Sequence, residues 1–217
     1  MSVSAISPTR MLARFAATAS FQDLPETVVA KTIDSTRDCL GVCLYGALRV
    51  DSGPVLARYA VQESGGAKSA TVIGGGKALA ELAALANGTS ALEDVHIGSQ
   101  AHPYASVHPA ALAMAERVGA SGRECLTALA VGNEIACRIG VASRVRSSDG
   151  SYMASRRGLY PQQLFCVFGA AAAAGRLLRL DEDRMADALG IAGEQAAGTM
   201  QSHNEGAWAR RLHGGLG

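Results

Sequence analysis

Apolar positions along this chain recur mostly at helical spacing, and the runs are separated by Gly, Pro, Asn and Asp. Met185, Ala188, Leu189, Ala192 and Ala196 follow i, i+3, i+4 steps and mark one buried face of a helix that Asp181 can cap. A loop from Gly158 to Gln163 feeds the helix before it, which carries Phe165, Phe168 and then an almost side-chain-free run from Gly169 to Gly175. Ala propagates a helix well, but each Gly in such a run costs roughly 0.5–1 kcal/mol against Ala. That cost makes sense where a neighbouring helix backbone comes close.

The rest of the chain reads the same way. Residues 5–19 form a short helix, and Asp23 precedes a second one from about Pro25 to Gly46 with Val29, Ile33, Leu40 and Leu44 facing inward. Asp51-Ser52-Gly53-Pro54 breaks it, Val55–Ala60 is helical again, and Ser64-Gly65-Gly66 is a turn. Ser69–Ile73 is the best strand candidate and ends at Gly74-Gly75-Gly76, which lacks the Lys-Ser/Thr of a phosphate loop and is read as a turn. A helix from Lys77 to Ala86 should stop at Asn87-Gly88, followed by a polar loop from Thr89 to Ser106. Pro109 opens a helix to about Val118, and Ser121 caps another that runs to about Ser143 and is apolar on nearly every side. Glu134 and Arg138, one turn apart on it, form an expected structural pair.

Composition narrows the class. Hydrophobic residues make up 48% and aromatics 5% of 217 residues, which favours closely packed helices over a sheet. The expectation is a mainly α chain, all-helical but for at most one short hairpin, with residues 1–217 as one helical domain. A net charge of +1 gives no reason to expect nucleic acid or an anionic membrane as a partner. No uninterrupted apolar run reaches the ~20 residues of a membrane span. The first twenty residues lack the apolar core of a targeting peptide, so a cytoplasmic location is expected. Cys39, Cys43, Cys125, Cys137 and Cys166 fall in apolar helices with no C-x-x-C pair, which reads as reduced, buried thiols rather than a metal or iron–sulfur site.

Several stretches resemble a known family in the right order. They are Leu85–Thr89 (LANGT), His102-Pro103, Asn133–Gly140 (NEIACRIG), GAAAAAGRLL from Gly169, DALGIAGEQAAG from Asp187, and AWARRLHGG from Ala207. Together they are similar to the MmgE/PrpD family of 2-methylcitrate dehydratases and cis-aconitate decarboxylases, which also includes an iminodisuccinate epimerase. The resemblance runs from about Leu24 to the last residue. It implies a helical domain, a homodimer, no cofactor, and a small di- or tricarboxylic acid as substrate. It also implies that a smaller α/β lid and a returning segment follow this point in family members, so the chain reads as a truncated member.

Dehydrating or decarboxylating such an acid requires cations to hold its carboxylates and groups that move a proton next to them. Three loops supply candidates: Asp94, His96 and His102; Arg156, Arg157 and Tyr160; and Arg210, Arg211 and His213. The segment from Arg144 to Arg157 carries four arginines against one aspartate, and Arg forks match carboxylates in a two-bonded geometry. The resemblance places His102 at the family's proposed acid/base and Asp94 near its acidic loop. It places Arg210 where many members have lysine, and Tyr160 where they often have histidine. Arg210 can bind an anion but, with a pKa above ~12, cannot donate a proton as lysine can. The expected site is therefore His102, Asp94 and Tyr160 for catalysis, with Arg156, Arg157, Arg210 and His213 on the substrate and no metal. His108 and His203 are read as idle loop histidines, and Trp208 as an anchor to the core. No G-x-S-x-G elbow or recognisable Ser/His/Asp spacing is present. The readings that follow are a cofactor-free lyase, an epimerase or isomerase of a related acid, and a catalytically silent helical module that binds a partner or dimerises.

Overall fold

The computed structural model describes residues 7–91, 102–143 and 157–217, with the side chains of 161 and 162 left aside. Among these residues, ten α-helices and one two-stranded hairpin appear, the helical architecture expected. They run α1 (Pro8–Thr18), α2 (Glu26–Arg49), α3 (Ser52–Glu63), β1 (Ala70–Val72), β2 (Gly76–Ala78), α4 (Ala80–Ser90), α5 (Pro103–Val118) and α6 (Gly122–Ala142). Then come α7 (Pro161–Leu177), α8 (Glu182–Glu194), α9 (Gln201–Asn204) and α10 (Leu212–Leu216). Short 3-10 turns at Phe21–Asp23 and Trp208–Arg211 join α1 to α2 and lead into α10.

The centre is a layer of α5, α6 and α7, in which Val107, Leu129, Ala136, Ala173 and Leu177 interlock. The side-chain-free run of α7 meets α6 as its composition predicts. A Cβ on Gly169 would stand 2.5 Å from the Gly132 carbonyl oxygen, and one on Gly132 would stand 2.6 Å from that of Gly169. Real Cβ atoms do not approach within 3.0 Å, so each glycine exists here to let the other backbone in. These small faces are therefore covered within the chain. Helix α6 is long and apolar enough to cross a bilayer by composition alone, but it packs between neighbours and carries Asn133, Glu134 and Arg138, as a core helix does. The last two pair at 2.5 Å.

On one side of this layer, α1 and α8 add Ala13, Ala16, Met185 and Leu189 to the core, with Arg14 bridging Glu182 at 2.9 Å and Arg10 bridging Asp183. On the other, α3, α4 and the hairpin pack Leu56, Ala60, Val72 and Ala83. In α2 the inward stripe is offset from the expected one. Leu40 and Leu44 are exposed, while Cys39, Cys43, Gly46 and Ala47 are buried, because the close approach of α4 favours small side chains. Gly46 would otherwise place a Cβ 2.1 Å from the Ser90 carbonyl oxygen.

Two helix boundaries differ from the local signals, for connected reasons. The expected stop at Asn87-Gly88 lies inside α4, which continues to Ser90. Asn87 turns its amide to the hairpin, accepting from the Ile73 N–H and donating to the Thr71 carbonyl, both at 2.9 Å. The residues between Lys77 and Ala80 are the second strand and its exit rather than helix. Likewise α5 begins at Pro103, not Pro109, which sits inside it. Pro109 removes the N–H that would reach the Ala105 carbonyl. That carbonyl instead faces Gly88, where a Cβ would be 2.8 Å away.

Candidate functional site

Tyr160 lies directly before α7 and is buried, with 6% of its surface exposed. Its strand-like neighbourhood is fixed by pairing with the segment after α8. The Tyr160 N–H donates to the Gly198 carbonyl at 3.0 Å, and the Met200 N–H to that of Gly158 at 2.7 Å. Gly158 and Gly198 adopt φ of 75° and 115°, a left-handed region open to glycine at little cost. Gly158 and Gly198 thus close the stretch from 158 to 198 onto itself.

Two histidines face the Tyr160 ring. The His213 ring centroid lies 4.7 Å away and that of His203 6.1 Å away. His213 Nε2 is 3.2 Å from Ser202 Oγ, and Arg210 Nη1 lies 3.4 Å from His203 Nδ1. Partial burial lowers the His213 pKa from its ordinary value. Near neutral pH its imidazole is then mostly uncharged, the form that can take a proton. Its Nδ1 is buried with no hydrogen-bond partner among the described residues.

The short helix α10 that carries His213 is seated by backbone contact. Ser106 Oγ of α5 donates to the Gly214 carbonyl at 3.0 Å. Cβ atoms on Gly214 and Gly215 would stand 2.4 Å from the Gly88 oxygen and 2.2 Å from that of Leu85. His102 opens the same helix α5 one turn before Ser106, half-buried, with its carbonyl accepting from Ala105 N–H at 3.1 Å. The stretches LANGT, His102-Pro103 and RRLHGG therefore form one assembly around Gly88.

The expected residues divide accordingly. Tyr160, His213 and Arg210 converge, and His102 stands on the helix that holds α10 in place. Arg157 is exposed three residues before Tyr160. Asp94, His96 and Arg156 lie outside the described residues. One assignment, the Trp208 anchor, is corrected. His203, read as idle, lies against Tyr160 and Arg210. Trp208, read as a core anchor, is 52% exposed. The sequence signal for His203 was its place one short turn before the Arg210 motif, which carries weight only once the chain is seen to fold back on Tyr160.

His108 is also no loop residue. It is buried in α5, 3.0 Å from Asn133 Nδ2 through Nε2, with Tyr104 at 5.0 Å between ring centroids. Burial lowers its pKa to about 3, so it stays neutral in the folded protein. Among the described residues no group of three or more His, Cys, Asp or Glu side chains could hold a metal ion. The arrangement around Tyr160 offers a phenol, two imidazoles and a guanidinium, which suits an acid with several oxygen acceptors and a proton to move.

The model of the MmgE/PrpD N-terminal domain matches residues 10–216. The chain belongs to the MmgE/PrpD family. A cis-aconitate decarboxylase of Aspergillus terreus is 33% identical over 153 residues, covering 66% of this chain and 30% of the relative. The cis-aconitate decarboxylase-like protein oryM of Aspergillus oryzae is 34% identical over 144 residues, covering 61% of this chain and 29% of the relative. The chain thus matches less than a third of the length of these relatives.

Proposed function

We propose that this chain supplies the helical part of a lyase that acts on a small di- or tricarboxylic acid, of the kind its relatives' names describe. The observation that carries this is the convergence of Tyr160, His213, His203 and Arg210 beside the helix that His102 opens. In this reading Arg210, Arg157 and Arg156 hold carboxylates, and Asp94 shares the acid/base work. His102 acts as acid/base, and Tyr160 donates a proton. His213 fixes the substrate through its second ring nitrogen.

The chemistry asked of these groups is modest. Decarboxylation breaks the bond between a carboxylate carbon and its neighbour, releases carbon dioxide and leaves an electron pair that a proton must quench. Dehydration takes a proton from carbon and gives one to the departing hydroxyl. Both need a proton carrier beside a fixed carboxylate, and an imidazole that titrates near neutral pH supplies it. The Arg at 210 provides only charge, so the proton work falls to His102, Tyr160 and Asp94. The relatives' names favour decarboxylation. A homodimer of this chain would use a face other than the Gly-rich one of α7, which α6 covers.

The test is turnover of cis-aconitate, followed by carbon dioxide release and by the absorbance of the double bond. The expected result is carbon dioxide release that His102→Ala abolishes while the variant still unfolds in one cooperative transition. Unchanged turnover in H102A would remove that residue from the mechanism. Exchange of a substrate α-proton for deuterium without carbon dioxide release would replace the lyase by an epimerase.

A further inference from the structure

The end of the helical layer remote from Tyr160 carries a second concentration of cations. Tyr160 precedes the first turn of α7, whereas Arg176 and Arg179 lie at its last turn, some ~25 Å away at about 1.5 Å per residue. Here the end of α5, the start of α6, the end of α7 and the connection from α1 to α2 enclose a cleft of about 770 Å³. Ligand sites for small molecules commonly span about 300–1,000 Å³. Arg123, Arg176 and Arg179 line it, together with Glu124, Ser20 and Phe21.

The guanidinium groups are positioned but incompletely used. Arg176 is half-buried and donates through Nη1 to the Ala16 and Ala17 carbonyls at the end of α1, both at 3.0 Å. Those bonds fix one corner of the fork and leave Nε and Nη2 available, and no carboxylate among the described residues pairs with it. Asp23 and Glu124 both act on Arg176 through space, but Asp23 is engaged by the Ser20 N–H at 2.9 Å and the Ser20 hydroxyl at 2.6 Å, and Glu124 by the Ser121 hydroxyl and Arg179. Arg123 lies over the Phe21 ring, its guanidinium carbon 5.5 Å from the ring centroid. Only Arg179 has a carboxylate partner, Glu124 at 3.2 Å, and both side chains are largely in water.

Arg179 itself sits in the left-handed region, with φ of 57°, at the position that closes α7. The Arg179 N–H donates to the Arg176 carbonyl and the Leu180 N–H to that of Gly175, the bonding of a helix stop where glycine is favoured. An arginine there carries backbone strain that glycine would not.

We propose that this cleft binds a small dianion, through its carboxylate or phosphate oxygens, between Arg123 and Arg176 with Arg179 at the mouth. Planar guanidinium forks pair with two oxygens of either group, and a half-buried cation without a carboxylate partner gains most from one. Such a site is separate from the one around Tyr160.

Calorimetric titration with succinate and with inorganic phosphate tests it. One of the two should bind with millimolar or better affinity, and which of them binds more tightly assigns the acid group. In an Arg210→Gln background, which removes the carboxylate contact proposed for the Tyr160 site, that binding should persist, and adding Arg123→Gln should weaken it at least tenfold. Arg176 also closes α1, so its replacement would confound folding with binding. Arg179→Gly avoids this: it relieves the backbone and should leave the unfolding midpoint no lower than the parent's, while weakening the dianion severalfold. No binding of either ligand at 10-millimolar concentration (about ten times a millimolar constant), or binding indifferent to Arg123→Gln, overturns the proposal. Binding lost in Arg210→Gln and kept in Arg123→Gln assigns the dianion to the Tyr160 site instead and equally overturns it.

Discussion

Replacing Gly214 by alanine tests whether backbone contact with Gly88 is what holds His213 against Tyr160. The new Cβ would stand 2.4 Å from the Gly88 carbonyl oxygen, and reaching 3.0 Å requires a shift of roughly 0.6 Å. Helix α4 has eleven residues wedged against α5, the hairpin and α3, while α10 has five. The short helix gives way. His213, its second residue, moves with it, and the 3.2 Å approach of Ser202 Oγ to Nε2 lengthens past hydrogen-bonding distance. Overpacking of this kind costs about 1–3 kcal/mol, and losing the hydrogen bond adds about 1 kcal/mol. The better helix propensity of alanine offsets about 0.5–1 kcal/mol. The net loss is about 1–3 kcal/mol. At about 2–4 °C per kcal/mol for a chain of this length, the unfolding midpoint should fall by about 2–12 °C.

Urea denaturation gives the stability, and calorimetric titration with cis-aconitate gives the binding. Both should worsen together in Gly214→Ala, the affinity by about tenfold if His213 contributes a charge-assisted contact of about 1.5 kcal/mol. Gly190→Ala serves as the control, since nothing lies within 4 Å of a Cβ built there in α8. It should raise stability by about 0.5–1 kcal/mol and leave binding alone. If Gly214→Ala matched the parent in both measurements while Gly190→Ala behaved as expected, the account of how α10 is seated would be wrong.

Two further outcomes follow from the core. His108 is neutral in the folded protein with a pKa of about 3, whereas the unfolded chain protonates it near 6.5, so the unfolded state binds more protons between those values. Its contribution to stability is constant above about pH 6.5 and is lost at about 1.4 kcal/mol per pH unit below it, until about pH 3. His108→Gln, which keeps a partner for Asn133, should shrink the difference in unfolding free energy between pH 7.5 and pH 5 by about 2 kcal/mol; an unchanged difference would show the imidazole to be solvated. Gly169→Ala, whose Cβ would meet the Gly132 oxygen at 2.5 Å, should cost about 1–3 kcal/mol in urea denaturation despite its better helix propensity, and parental stability would refute the close crossing of α6 and α7.

Much of the helical architecture was legible because apolar spacing and helix punctuation are local signals. The run from Gly169 to Gly175 announced a close helix crossing, and the structure supplies it. Its counterpart Gly132 carried no such signal, since a single glycine in an apolar helix looks the same whether or not a backbone lies against it. The α2 stripe was misplaced for a related reason. Leucines at 40 and 44 look inward by hydrophobicity, but the neighbouring helix comes too near for them, and the thiols of Cys39 and Cys43 occupy the inner face instead, reaching the Tyr104 and Asn87 carbonyls. Size decided what hydrophobicity alone could not.

The two misplaced helix ends and the site share one cause. Asn87-Gly88 is a good stop and Pro109 a good start when each is judged by its own neighbours. Both judgements fail because these residues pack against parts of the chain outside their own helix: the Asn87 side-chain amide bonds the hairpin, and the Gly88 backbone lies against Ala105 and α10. The same point receives Gly214 and Gly215 and so sets His213 beside Tyr160. Three stretches that carried the family resemblance are one tertiary contact. Local rules mislead there because long-range packing, between residues more than a hundred positions apart such as Gly88 and Gly214, decides where each helix ends, and the same packing seats His213 beside Tyr160.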